Sequence, residues 1–164
     1  IWNEIYYFYK KIKMHQTFDI TRTSRKVLAQ NLESHTLEQL NKIPEGFSNN
    51  LIWNIEHIVV VQQMLVDRLS CLPMLISDEM VQKYKKGTKP EGNVEQKEVD
   101  EIRSLLFETI NHLKADFNNK IFKTYDEFTT MSGFTIKNAE DALSFNYYHE
   151  AVHTGVMMAI RKFI

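Results

Sequence analysis

The sequence predicts an all-α protein built as a bundle of four helices. Three observations carry that reading. The 164 residues include only five Gly and three Pro, too few for the turns of a loop-rich β protein of this size. Apolar residues recur at three- and four-residue spacing, the period of a helix with one buried face. Clusters of Ser, Thr and Asn stand where such stretches begin, as N-cap residues do. Hydrophobic residues make up 43% and charged residues 25% of the chain, the balance of a globular domain with one continuous core.

The start, Ile1-Trp2-Asn3-Glu4-Ile5-Tyr6-Tyr7-Phe8-Tyr9, is apolar and aromatic. It lacks a leading basic segment and a small-residue cleavage site, so it does not read as a signal peptide. Residues 1–17 are expected to be a peripheral extension of a domain spanning 18–164, with Met14 a candidate natural start. The helical spacing of Trp2, Tyr6 and Tyr9 supports the opposite reading, a segment docked on the bundle or on a partner.

The first helix is expected from Thr21 to Leu32, restarting near the cap-like Ser34 and Thr36 and ending before Pro44. The second follows the cap cluster Ser48-Asn49-Asn50 and runs to about Leu69, with Pro73 beyond it. Lys85 to Gly92 reads as an exposed loop. Asn93 and Gln96 resemble a capping box for the third helix, which sets Val99, Ile102, Leu106, Ile110, Leu113 and Phe117 on one face. Thr129 to Phe134 is read as a linker. The fourth helix opens at Asn138, with Glu140 and Asp141 in its first turn, and continues to the chain end.

Composition excludes several functions. Lys and Arg number 20 against 21 Asp and Glu, a formal net charge of -1, and no long basic run stands out, so nucleic-acid binding has no electrostatic footprint. The longest apolar stretch, Leu51 to Val66, contains Glu56 and His57 and is too short to span a bilayer, so no membrane partner is expected. Cys71 is the one cysteine. No intrachain disulfide can form, and a cytoplasmic location is the expectation.

The chemistry lies in the histidines. His149-Glu150-Ala151-Val152-His153 puts two imidazoles one helical turn apart on one face, where both reach one ion. The five residues also spell the zinc-protease pattern HExxH. Such proteases take their third ligand downstream, but Thr154 to Ile164 holds no His, Asp, Glu or Cys. The protease reading fails on ligand supply, and the third ligand must come from upstream. His57 is the best candidate, set among Ile55, Ile58, Val59, Val60 and Val61 in the most apolar helix. A lone core histidine more often bonds a backbone carbonyl, but a facing pair on another bundle helix changes the balance. His15, His35 and His112 read as surface or local structural residues, and Cys71 falls outside the constellation.

Asn49-Asn50-Leu51-Ile52-Trp53-Asn54-Ile55-Glu56-His57-Ile58-Val59-Val60-Val61-Gln62-Gln63, together with Asn146-Tyr147-Tyr148-His149-Glu150-Ala151-Val152-His153-Thr154-Gly155, resembles the DinB-like superfamily. The resemblance runs from about Phe18 to Lys162. It implies an up-down-down-up four-helix bundle, often a homodimer, with a metal site whose ligands carry over onto His57, His149 and His153. It further implies a thiol-dependent transferase or related enzyme, with a small-molecule thiol and an electrophilic substrate as partners. Zinc or nickel heads the expected divalent metals, with iron, copper and manganese behind them. The family's name comes from a damage-inducible gene and carries no implication of DNA binding.

Around the ligands, Glu150 has two readings, a catalytic base as in zinc proteases and a solvated or outer carboxylate, the second favoured. Asn146 lies near the face of His149 and either orients a ligand or fills a polar gap in the core. Trp53, Tyr147 and Tyr148 read as packing residues. Two functions remain open: a metal-dependent transferase or hydrolase, favoured by an open coordination position, and a non-catalytic metal-binding or dimerisation module, favoured by a sealed one.

Overall fold

The structure, a computed structural model, describes the backbone of residues 2–164 and the side chains of Trp2, Ile5 and residues 14–164. Helices α1 (Trp2–Ser34), α2 (Leu37–Asn41) and α3 (Leu51–Val66) come first, then a 3-10 turn at Arg68–Ser70. Helices α4 (Asp78–Tyr84) and α5 (Gln96–Asn119) follow, and strands β1 (Phe128–Thr129) and β2 (Thr135–Ile136) precede α6 (Ala139–Ile160). The all-α expectation therefore holds, with one small hairpin added.

Three predicted helix starts are built as the sequence suggests. Thr36 and Gln39 form a reciprocal capping box at α2. The Asn50 side chain accepts from Trp53 N at 2.9 Å to cap α3, and its own amide donates to Asn41 O at 2.9 Å. Asn138 caps α6 by accepting from Asp141 N at 2.8 Å.

Other boundaries differ. Helix α1 begins at Trp2 rather than Thr21, because no Gly or Pro interrupts residues 2–20 and aromatic residues cost a helix little. The boundary at residue 18 is thus not a break in secondary structure. Whether Tyr6 and Tyr9 dock lies outside the described residues; Trp2 is exposed, whereas Phe18 meets Phe117 edge-on at 5.7 Å. The expected capping box at Asn93 is absent. Glu95 is the N-cap of α5 and makes no side-chain cap bond, while Asn41 ties down the preceding residue, accepting from Val94 N at 2.8 Å and donating to Val94 O at 3.1 Å. The sequence reading had no α4, whose Ser77 cap opens a short helix that buries Met80, Val81 and Tyr84. The Thr129–Phe134 linker is a hairpin turn, pairing Phe128 with Ile136 and closing through Gly133 at φ 86°.

Four long helices make the interior. α1 packs on α5 and α6, and α3 packs on the same two, most extensively on α6. The apolar core falls into two clusters. One holds Leu28, Leu32, Ile55, Ile58, Ile102, Leu106, Met157 and Ile160; the other holds Phe18, Val66, Ile110, Leu113, Ile136 and Leu143. Between them every long helix contributes a buried polar residue: Thr21 and Arg25, Gln62, Thr109, and Asn146 and Glu150. No helix among the described residues is long and apolar enough to cross a membrane.

Candidate metal centre

His57 is buried because α3 is rich in apolar residues and buried almost along its whole length, its polar residues included. His149 and His153 lie one turn apart on α6, the helix packed most closely on α3. The three candidate ligands come together, with one potential ligand nitrogen from each ring within 4.8 Å of the others. Ring centroids are 5.2 Å apart for His57–His149, 4.7 Å for His57–His153 and 4.6 Å for His149–His153.

Hydrogen bonds fix which nitrogens are free. His57 Nδ1 lies 2.6 Å from the backbone oxygen of Tyr84. A carbonyl oxygen only accepts, so Nδ1 carries the proton and Nε2 keeps its lone pair. His153 Nδ1 lies 2.8 Å from Asn54 Oδ1. The Asn54 amide cannot be turned round, because its Nδ2 donates to Asn50 O at 2.7 Å and Asn49 Oδ1 at 2.9 Å. His153 is therefore also protonated on Nδ1 and free on Nε2. Outer partners of this kind orient metal-ligating imidazoles. His57 thus satisfies both of its sequence readings, a core histidine on a carbonyl and a candidate ligand.

All three rings are held neutral. Burial, then the neighbouring His153, His57 and Arg25, pushes His149 down to about 3. Burial and His57 push His153 down to about 4. Burial also lowers His57, with Lys86 adding to the effect and the Tyr84 hydrogen bond opposing it. Trp53, read only as a packing residue, is buried and stacks on His57 at 4.7 Å and 12°, covering one face of that ring. His149 and His153 are half-buried, whereas His57 is buried.

The remaining residues sort themselves clearly. His15 pairs with Asp19, His112 pairs with Asp116, and His35 bonds Asn31 O at 2.9 Å, all away from the trio. Cys71 is exposed at the end of the 3-10 turn. Tyr147 and Tyr148 are exposed rather than packed inside. Glu150 is not solvated: it is fully buried and paired with Arg25 at 2.7 Å. Asn146 is fully buried and donates to Glu150 at 2.8 Å, filling a polar layer of the core. The sequence reading missed Asn54, Tyr84 and Arg25. Asn54 was legible as a polar residue three positions before His57 in an apolar helix; Arg25 was legible as a charge in the buried stripe Phe18, Thr21, Leu28, Leu32.

Residues 20–157 match the family model of the DinB superfamily. No curated protein matches the chain.

Proposed function

The chain belongs to the DinB superfamily, and from that premise we propose that His57, His149 and His153 hold one divalent transition-metal ion, zinc or nickel foremost, in an enzyme that transfers a small thiol to an electrophile. The observation that carries the reading is the convergence of three neutral imidazoles within 4.8 Å, two of them with the far nitrogen already engaged. Such donors suit zinc, nickel, copper and iron. When bound, the ion supplies Lewis acidity, lowering the pKa of a coordinated thiol or water.

The chain's own groups do the rest. Tyr84 O and Asn54 Oδ1 aim two of the rings. Trp53 keeps water from one face of His57. Three neutral donors leave the ion's positive charge undiminished and leave room for a further ligand, as in catalytic zinc sites. The half-buried rings of α6 favour an accessible centre over a sealed, non-catalytic one. The same membership supports an up-down-down-up order of the four long helices and a homodimer, which sedimentation would test.

The experiment is elemental analysis of protein purified without chelator, followed by a turnover screen of small thiols with an electrophilic acceptor. One metal per chain and thiol-dependent turnover are expected. Protein that takes up no zinc, nickel or cobalt would overturn the metal reading. Loaded protein inert with every thiol would leave the non-catalytic module.

A further inference from the structure

The polar layer between the two apolar clusters has a feature that core packing alone does not explain. Arg25, Gln62, Asn146 and Glu150 come from α1, α3 and α6, and each is fully buried. They form one hydrogen-bonded network. Glu150 Oε1 accepts from Arg25 Nε at 3.0 Å, from Arg25 Nη2 at 2.7 Å and from Asn146 Nδ2 at 2.8 Å. Gln62 Oε1 accepts from Arg25 Nη2 at 2.9 Å.

Each of the four nevertheless keeps one buried polar atom with no partner among the described residues: Arg25 Nη1, Gln62 Nε2, Asn146 Oδ1 and Glu150 Oε2. A fifth such atom is His149 Nδ1. His149 adjoins Glu150 in sequence and lies one turn from Asn146 on the same helix. These atoms are complementary. Arg25 Nη1 and Gln62 Nε2 are donors, and Asn146 Oδ1 and Glu150 Oε2 are acceptors. Buried polar atoms are almost always satisfied, and internal waters, which donate and accept together, are the usual agents.

His149 is also the odd member of the trio. His57 and His153 each have a protein oxygen on Nδ1, whereas His149 has none among the described residues. We propose that the Arg25–Glu150 pair, with Gln62 and Asn146, is the positioning shell of His149, reached through an internal water that takes the place of the missing oxygen. Glu150 is then a positioning residue, its carboxylate committed to Arg25. A buried ion pair is a weak device for stability, since a well-packed apolar replacement commonly does as well. Its value here is orientation, because the pair fixes α1 against α6 at the turn that presents His149.

The proposal rests on the metal reading above, and the test separates the two. Cobalt(II) is titrated into metal-free protein against a competing chelator, with the visible d–d absorption recorded and the metal-free melt measured alongside. Glu150→Gln leaves Arg25 as an uncompensated buried charge and is expected to melt early whatever its role. The decisive variant is Arg25→Met with Glu150→Gln, which removes both charges. It is expected to melt near the parent yet bind cobalt about ten- to a hundredfold more weakly, with an altered d–d band. Asn146→Ala, which keeps the ion pair, covers the case in which the double variant does not fold, and is expected to shift affinity and band in the same direction. Parent-like affinity and spectrum in the double variant, or in Asn146→Ala if the double variant is unfolded, would overturn the positioning role and leave the metal centre standing. A parent that binds no cobalt removes both.

Discussion

Replacing Asn54 with Leu isolates the contribution of orientation at the metal centre. The substitution touches none of the three histidines and roughly preserves volume. It removes three hydrogen bonds, to His153 Nδ1 at 2.8 Å, to Asn50 O at 2.7 Å and to Asn49 Oδ1 at 2.9 Å. Two of the groups released have recourse: Asn50 O still accepts from the Asn54 backbone N–H at 3.3 Å, and Asn49 is only half-buried and meets water. His153 Nδ1 is the group left stranded. An unsatisfied buried donor costs about 1–3 kcal/mol, partly offset by the apolar surface Leu buries, so the metal-free protein should lose only about 1 kcal/mol. Metal affinity should suffer more. Loss of an outer partner to a ligating histidine typically costs about ten- to a hundredfold in affinity, which is about 1.4–2.7 kcal/mol. Competition with a chromogenic zinc chelator reads the affinity, and thermal melts of the metal-free protein read the fold. A zinc Kd within about twofold of the parent, in a variant that melts normally, would refute the argument that Asn54 aims His153.

Three further outcomes follow from the same geometry. His57→Ala, His149→Ala and His153→Ala should each sharply reduce metal per chain by elemental analysis, while His15→Ala, His35→Ala and His112→Ala retain it, since those three have separate local partners; full occupancy in His57→Ala would contradict the three-ligand centre. Chelator should lower the melting temperature of loaded protein at pH 7, because free metal at a hundred times Kd stabilises by about 2.7 kcal/mol; identical curves from protein shown to be loaded would count against it. Glu56 is fully buried with neither carboxylate oxygen partnered among the described residues, and burial, then Glu98, pushes its carboxyl up to about 9. The folded state therefore holds a proton that the unfolded chain releases near 4.5. That contribution is complete below the unfolded value and is lost as pH rises through the folded one, so the metal-free protein should weaken between pH 7 and 9 by up to about 1.4 kcal/mol per pH unit. Glu56→Gln should flatten that limb in urea titrations, and equal slopes in the two proteins would show that Glu56 is not the cause.

The long helices were legible because each repeats an apolar face at helical period. The α5 stripe from Val99 to Leu113 is buried as its spacing requires, with Phe117 half-buried at its end. Two elements escaped for physical reasons. Helix α4 has seven residues, too few to show a period, and it is stable only because Met80, Val81 and Tyr84 pack against the core. The hairpin before α6 pairs two residues on each strand, and its Phe128, Met131 and Phe134 are exposed, so no alternation marked it. The start of α1 escaped for the opposite reason: no breaker marks an end, and the expected helix start at Thr21 falls where the chain is already helical.

At the site the histidines were legible and their supports were not, and the difference is one of range. His149 and His153 meet through helix geometry alone, and His57 was found by asking which apolar helix could face them. The groups that orient these rings are contacts across 27 residues, Tyr84 to His57, and 99 residues, Asn54 to His153. Arg25 meets Glu150 across 125 residues. Nothing local specifies such pairs, and a carbonyl such as that of Tyr84 has no sequence signature at all. What the sequence does hold is the anomaly each support creates. A charge at Arg25 on a buried stripe and a carboxylate at Glu150 beside a core-facing histidine are both costly alone. Two such costs in one chain are most simply relieved by each other, and in the fold Arg25 and Glu150 do pair, at 2.7 Å with both side chains fully buried.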